Sequence, residues 1–103
     1  MEKLKHNKIL YIEDLNYKNY KYYSKQVIQS VNIIIQDSNL NMSELSHLVN
    51  ISRYTLRKIF SEGIIETLKY NTVNKLNKFV GEIMFSTGIN PEIIEPIKEE
   101  EVN

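Results

Sequence analysis

From Asn19 onward the apolar residues fall at helical steps. Tyr20, Tyr23, Val27, Val31 and Ile34 recur every three or four positions, and Ile28 and Ile35 widen the stripe. That is the pattern of an amphipathic helix with one buried face; Lys21, Lys25, Gln29 and Asn32 lie opposite. The cluster Asp37-Ser38-Asn39-Leu40-Asn41 is turn chemistry and predicts where this helix stops. Upstream the periodicity is weak. Lys8-Ile9-Leu10-Tyr11-Ile12 reads as a short strand or an extended arm, and one strand alone cannot form a sheet.

Two short helices are predicted next. Ser43 is the expected cap of the first, whose apolar face is Leu45, Leu48 and Val49. Asn50 tolerates the left-handed backbone of a sharp turn, Ile51 is a buried plug, and Ser52 caps the second helix. That helix buries Leu56, Ile59 and Phe60 and leaves Arg53, Tyr54, Arg57 and Lys58 outward. A fourth helix is expected from about Thr72 to Phe85, capped by Asn71 or Thr72, with Val73, Leu76, Phe79, Val80 and Ile83 inward and Gly81 as an alternative end. Asn90-Pro91 reads as a cap followed by a first helical residue, opening a short fifth helix to about Glu95 that presents Ile93, Ile94 and Ile97. The expected fold is all-α: a compact bundle of about five helices behind an extended or irregular N-terminal segment. Residues 1–17 form the arm or strand, 18–97 the helical domain and 98–103 an acidic tail.

The length of 103 residues fits one core. With 42% apolar and 25% charged residues the composition is that of an ordinary globular chain. Cysteine is absent, which excludes disulfide frameworks, zinc–thiolate sites and cysteine nucleophiles. No apolar run approaches a membrane span, and the opening Met-Glu-Lys-Leu-Lys lacks a signal peptide's apolar segment, so a cytoplasmic location is expected.

The net charge of zero conceals sorting along the chain. Residues 1–39 carry six lysines against four acids, residues 40–80 six basic groups against three acids, and residues 81–103 one lysine against six glutamates. A mildly basic body thus precedes an acidic end. Glu99, Glu100 and Glu101 read as a solvated terminus or, alternatively, as a tail that competes with nucleic acid for the basic face. Alanine is absent and lysine outnumbers arginine eleven to two, yet both arginines, Arg53 and Arg57, fall within five positions.

Catalytic chemistry finds little support. Gly63, Gly81 and Gly88 are too dispersed for a phosphate loop, and His6 and His47 lack a spaced metal partner. Ser43, Ser46 and Ser52 have no histidine–acid pair in register, and Glu13 and Asp14 diverge on any regular element. No enzyme activity, metal or cofactor is expected.

The spacing from Asn41 to Ser61 is more informative. A small residue, Ser46, stands where two helices would cross, and the turn residue Asn50 follows four positions later. Ile51 comes next, with Leu56 and Ile59 five and eight positions beyond it. This is helix-turn-helix spacing. The run Ser43-Glu44-Leu45-Ser46-His47-Leu48-Val49-Asn50-Ile51-Ser52-Arg53-Tyr54-Thr55-Leu56 resembles the helix-turn-helix of phage-repressor-like (XRE-type) regulators. Asn71-Thr72-Val73-Asn74-Lys75-Leu76-Asn77-Lys78-Phe79-Val80-Gly81 is similar to the helix that often follows in that family. The resemblance covers roughly residues 25–97. The Tyr/Lys-rich N-terminal segment and an insertion at Glu82–Thr87 depart from it, as do Asn50 in place of Gly and Ser46 in place of Ala. AraC-type activators share the look of Ile51–Phe60 but need two such motifs.

In a helix-turn-helix the second helix lies in the major groove with its first residues toward base edges. Arg53 and Arg57, four apart, share a face about 6 Å apart, and each guanidinium can bridge guanine O6 and N7. Tyr54 can meet a thymine methyl or a phosphate. Ser43, Ser52 and Lys58 are placed for phosphates; the resemblance adds Lys69, Asn71 and Thr72, with Tyr70, as a backbone-contacting loop. The competing reading of the arginine pair is a solvated face, with Arg57 near Ser61 or Glu62. Five of the seven tyrosines lie between Tyr11 and Tyr23 among Lys18, Lys21 and Lys25, which is either a stacking surface for single strands or, the favoured reading, core packing by Tyr20 and Tyr23.

A sequence-specific regulator, a repressor on double-stranded DNA, is therefore expected. It would act as a homodimer on an inverted repeat, because one motif of this size reads few base pairs. The dimer surface is either the Ile93/Ile94/Ile97 patch or the Tyr-rich segment. The alternative is a phage or mobile-element accessory protein whose scaffold binds a protein partner, such as an inhibitor of a nucleic-acid enzyme.

Overall fold

The computed structural model describes residues 9–87 and 92–94. Within them a mostly helical chain runs β1 (Leu10–Ile12), α1 (Tyr20–Ser38), α2 (Met42–Val49), α3 (Arg53–Phe60), α4 (Tyr70–Thr87) and β2 (Glu92–Ile94). The acidic tail at 98–103 and Ile97 lie outside the described residues.

The start of α1 is prepared one turn upstream. The Asn16 side-chain oxygen accepts from the amides of Lys18 (2.8 Å) and Asn19 (3.0 Å), while the Asn19 side-chain oxygen accepts from the Asn16 amide at 2.8 Å. Reciprocal bonds of this kind satisfy the free donors of a first turn. The apolar stripe is buried as its spacing predicts, from Tyr20 and Tyr23 through Val27 and Val31 to Ile34. The helix stops at Asn39, which is left-handed (φ 59°), and the Leu40 amide reaches back to the Ile35 carbonyl at 3.1 Å.

The longest packing surface joins α1 to α4, which buries Val73, Leu76, Phe79 and Val80. β1 lies against both helices. Ile12 is fully buried, and its backbone amide donates to Asn77 Oδ1 at 3.0 Å while its carbonyl accepts from Asn77 Nδ2 at 2.9 Å. One stage earlier, the Leu10 amide donates to the buried Ser30 hydroxyl oxygen at 2.8 Å. Two helix side chains thus do for one strand edge what a neighbouring strand would otherwise do. At Gly81 a Cβ would lie 2.9 Å from the Tyr11 ring, so the absence of a side chain there lets the strand approach α4.

Several expectations change. The segment expected as a fifth helix contains β2, which pairs in parallel with β1 in the register Leu10↔Glu92, Tyr11↔Ile93, Ile12↔Ile94. The consecutive β-branched Ile93 and Ile94 suit a strand once β1 offers an edge, and local cap-like residues do not outweigh that pairing. Four helices, not five, stand among the described residues. Gly81 does not end α4, which runs on through Glu82–Thr87. α4 begins at Tyr70, so Asn71 and Thr72 sit inside its first turn and do not cap it. Asn41, not Ser43, caps α2: its side chain accepts from the Glu44 amide at 2.8 Å and Glu44 Oε1 accepts from the Asn41 amide at 3.0 Å, a capping box. Leu48, expected inward, is 55% exposed.

Replacing Asn77 with Leu leaves two buried backbone groups of Ile12 without a partner and is expected to destabilise by about 3 kcal/mol. Ser30→Ala, which orphans one amide, should cost about 1 kcal/mol. Urea unfolding followed by circular dichroism measures both; an Asn77→Leu protein within about 0.5 kcal/mol of the parent would remove this role.

Candidate nucleic-acid interface

Three residues, Asn50 to Ser52, join α2 to α3, and the polar groups of this turn are held by side chains. Asn50 is left-handed (φ 57°, ψ 47°) and its amide donates to the Ser46 carbonyl at 2.9 Å. The Asn50 carbonyl accepts from Lys75 Nζ of α4 at 2.9 Å. The next carbonyl, of Ile51, accepts from Ser46 Oγ at 2.6 Å, while the Ile51 side chain is buried. Ser52 is extended (φ −62°, ψ 150°), and its hydroxyl oxygen accepts from the Thr55 amide at 3.2 Å, capping α3 as its residue type predicts.

α3 turns Leu56 and Ile59 into the core. Its other face carries Arg53, Tyr54 and Arg57, all exposed, with Tyr54 at 66%. Neither guanidinium group has a hydrogen bond or ion pair with another described residue. Phe60, expected to be buried, is half-buried. Lys58 is also half-buried, and its ammonium sits 5.0 Å from the centre of the Tyr54 ring one turn earlier. The Tyr54 hydroxyl raises the pKa of Lys58 through hydrogen bonding and charge, and Glu62 adds to the effect. The helix stops where Gly63 (φ 71°) lets the Ile64 amide return to the Lys58 carbonyl at 3.0 Å.

The phosphate-contact candidates lie on three elements. Ser43 is exposed in the first turn of α2, and Ser52 is exposed at the head of α3. Lys69 and Asn71 are exposed and Thr72 is half-buried where α4 starts. Tyr70 is an anchor, its ring edge-on to Tyr20 at 5.6 Å and to Tyr17 at 6.1 Å. Tyr20 and Tyr23 are core residues, whereas Tyr17 and Tyr22 are more than two-thirds exposed. A groove of about 420 Å³ between Tyr20–Lys25 and Ile65–Leu68 has mixed charge, with Lys21 and Lys25 against Glu66. No group of three or more potential ligands could hold a metal among the described residues, and none of the described helices is long and apolar enough to cross a membrane. Lys75 is the residue that spacing did not reveal, since on the helix pattern it is simply a polar-face lysine.

No family model matches the chain, and no curated protein or solved structure matches it either.

The turn makes a direct prediction. Asn50→Val forces a β-branched side chain into left-handed backbone and should lower stability by about 1–2 kcal/mol, whereas Asn50→Gly should leave it unchanged. Thermal unfolding distinguishes the two; equal midpoints would show that the left-handed turn is not required.

Proposed function

We propose that the protein is a sequence-specific DNA-binding regulator whose α2–turn–α3 unit works as a helix-turn-helix, with α3 entering the major groove. The observation that carries this reading is the exposed, unpaired Arg53/Arg57 pair on a helix whose first turn is fixed by side chains on both sides. Planar guanidinium groups four residues apart match two guanine edges, each through O6 and N7. Tyr54 reads a thymine methyl or meets a phosphate, with Lys58 packed on its ring. Ser43, Ser52, Lys58, Lys69, Asn71 and Thr72 serve the sugar–phosphate backbone, which orients the domain without specifying sequence.

Occupancy of a site is sufficient for repression, and a homodimer on an inverted repeat supplies the specificity that one short helix lacks. The half-sites should then lie about one helical turn apart, roughly 10 base pairs. Selection from random duplexes tests partner and symmetry together, and an enriched palindrome is the expected outcome.

Affinity for the selected duplex should fall with salt at a slope of about −4 to −6, for some five to seven neutralised phosphates. Arg53→Ala and Arg57→Ala should each cost about 1–3 kcal/mol of binding and relax preference at one position. Failure of selection to enrich any duplex, with the double arginine variant retaining full biological activity, would move the partner from DNA to protein.

A further inference from the structure

The turn before α3 is held at two consecutive carbonyls by different parts of the molecule. Ser46 holds that of Ile51 from within the α2–α3 unit, while Lys75 holds that of Asn50 from α4. α4 is itself set by the core, since Val73 and Leu76 are fully buried and Asn77 clasps Ile12. α3, by contrast, packs chiefly on α2 and, less extensively, on α1. The Lys75 ammonium also sits at the C-terminal end of α2, where the carbonyl dipoles favour a positive charge. An exposed bond of this kind adds little to global stability. Its geometric leverage is larger. α3 is eight residues long, about 12 Å, so a swing of about 10° at the turn displaces its far end by roughly 2 Å. Positioned contacts tolerate about 0.5 Å.

We propose that Lys75 is a positioning residue for the recognition helix. Its bond to the Asn50 carbonyl sets the angle at which α3 leaves the turn and hence the reach of Arg53 and Arg57. This rests on the DNA-binding reading above. The alternative role for an exposed lysine, direct contact with phosphate, has a different signature: losing a phosphate contact lowers the salt slope by about one, whereas losing a positioning bond leaves it unchanged.

The test compares Lys75→Gln and Lys75→Arg with the parent on the duplex recovered by selection and on a scrambled duplex of equal length. Lys75→Gln is expected to lose about tenfold in affinity for the selected duplex, to stay within about twofold on the scrambled one, and to keep the parent salt slope. Lys75→Arg, which can still donate to the carbonyl, should keep selectivity within about threefold. In the free proteins, amide exchange at Thr55 and Leu56, which close the first turn of α3, should quicken severalfold in Lys75→Gln while that of Leu76 to Val80 does not change. Unchanged selectivity and exchange in Lys75→Gln would overturn the proposal while leaving DNA binding intact. Equal losses on both duplexes with a shallower slope would overturn it in favour of a phosphate contact. A parent protein that prefers no duplex, with Arg57→Ala indistinguishable from it, would instead remove the DNA-binding reading and this proposal with it.

Discussion

A single buried amide decides where the N-terminal strand can lie. Ile12 is enclosed by apolar side chains, so its backbone N–H and C=O must find partners inside the protein, and Asn77 offers one acceptor and one donor at the right separation. Among the described residues no buried side-chain polar atom lacks a partner, which fits a core in which each polar group has a defined task. With β1 fixed, α1 and α4 close over a shared surface. α4 then presents Asn77 inward and, two residues earlier, Lys75 outward to the α2–α3 turn. The same helix therefore connects the core to the surface that carries the arginines.

The aromatic residues divide by the same logic. Tyr20 and Tyr23 fill the α1 stripe, and the contacts of Tyr17, Tyr20 and Tyr70 join the heads of α1 and α4. The tyrosine concentration is thus mostly a packing device, even where a ring edge meets solvent. On α3 the division is plain at most positions: Leu56 and Ile59 face inward with Phe60 half-buried against the core, and Arg53, Tyr54 and Arg57 face outward with Lys58 lying along Tyr54.

What could be read from residue order was what depends on neighbours along the chain. The α1 stripe, the left-handed Asn50, the buried Ile51 and the Ser52 cap all follow from local periodicity or local backbone preference, and all appear in the structure. The misplaced features depend on distant partners. Pro91 to Glu95 resembled a helix start because nothing nearby announced β1 as a pairing edge some eighty residues upstream. Gly81 looked like a terminator because its contact, the Tyr11 ring, is equally remote in sequence. The same limit hid Lys75, whose bond spans 25 residues. The cap of α2 is a local exception: Ser43 was the expected residue, and the Glu44 carboxylate, three residues after Asn41, makes Asn41 the cap instead.

The pairing of β1 with β2 carries a consequence for how the molecule assembles. Each strand has three residues, and an isolated two-stranded ribbon of that size is not stable by itself. It forms only after the intervening helices have brought two distant stretches of chain together, because the entropy of closing so long a loop must first be offset. The parallel ribbon is therefore a late latch, drawn shut across a helical body that has already taken shape. By the same reasoning the ribbon holds only while that body keeps its two edges side by side.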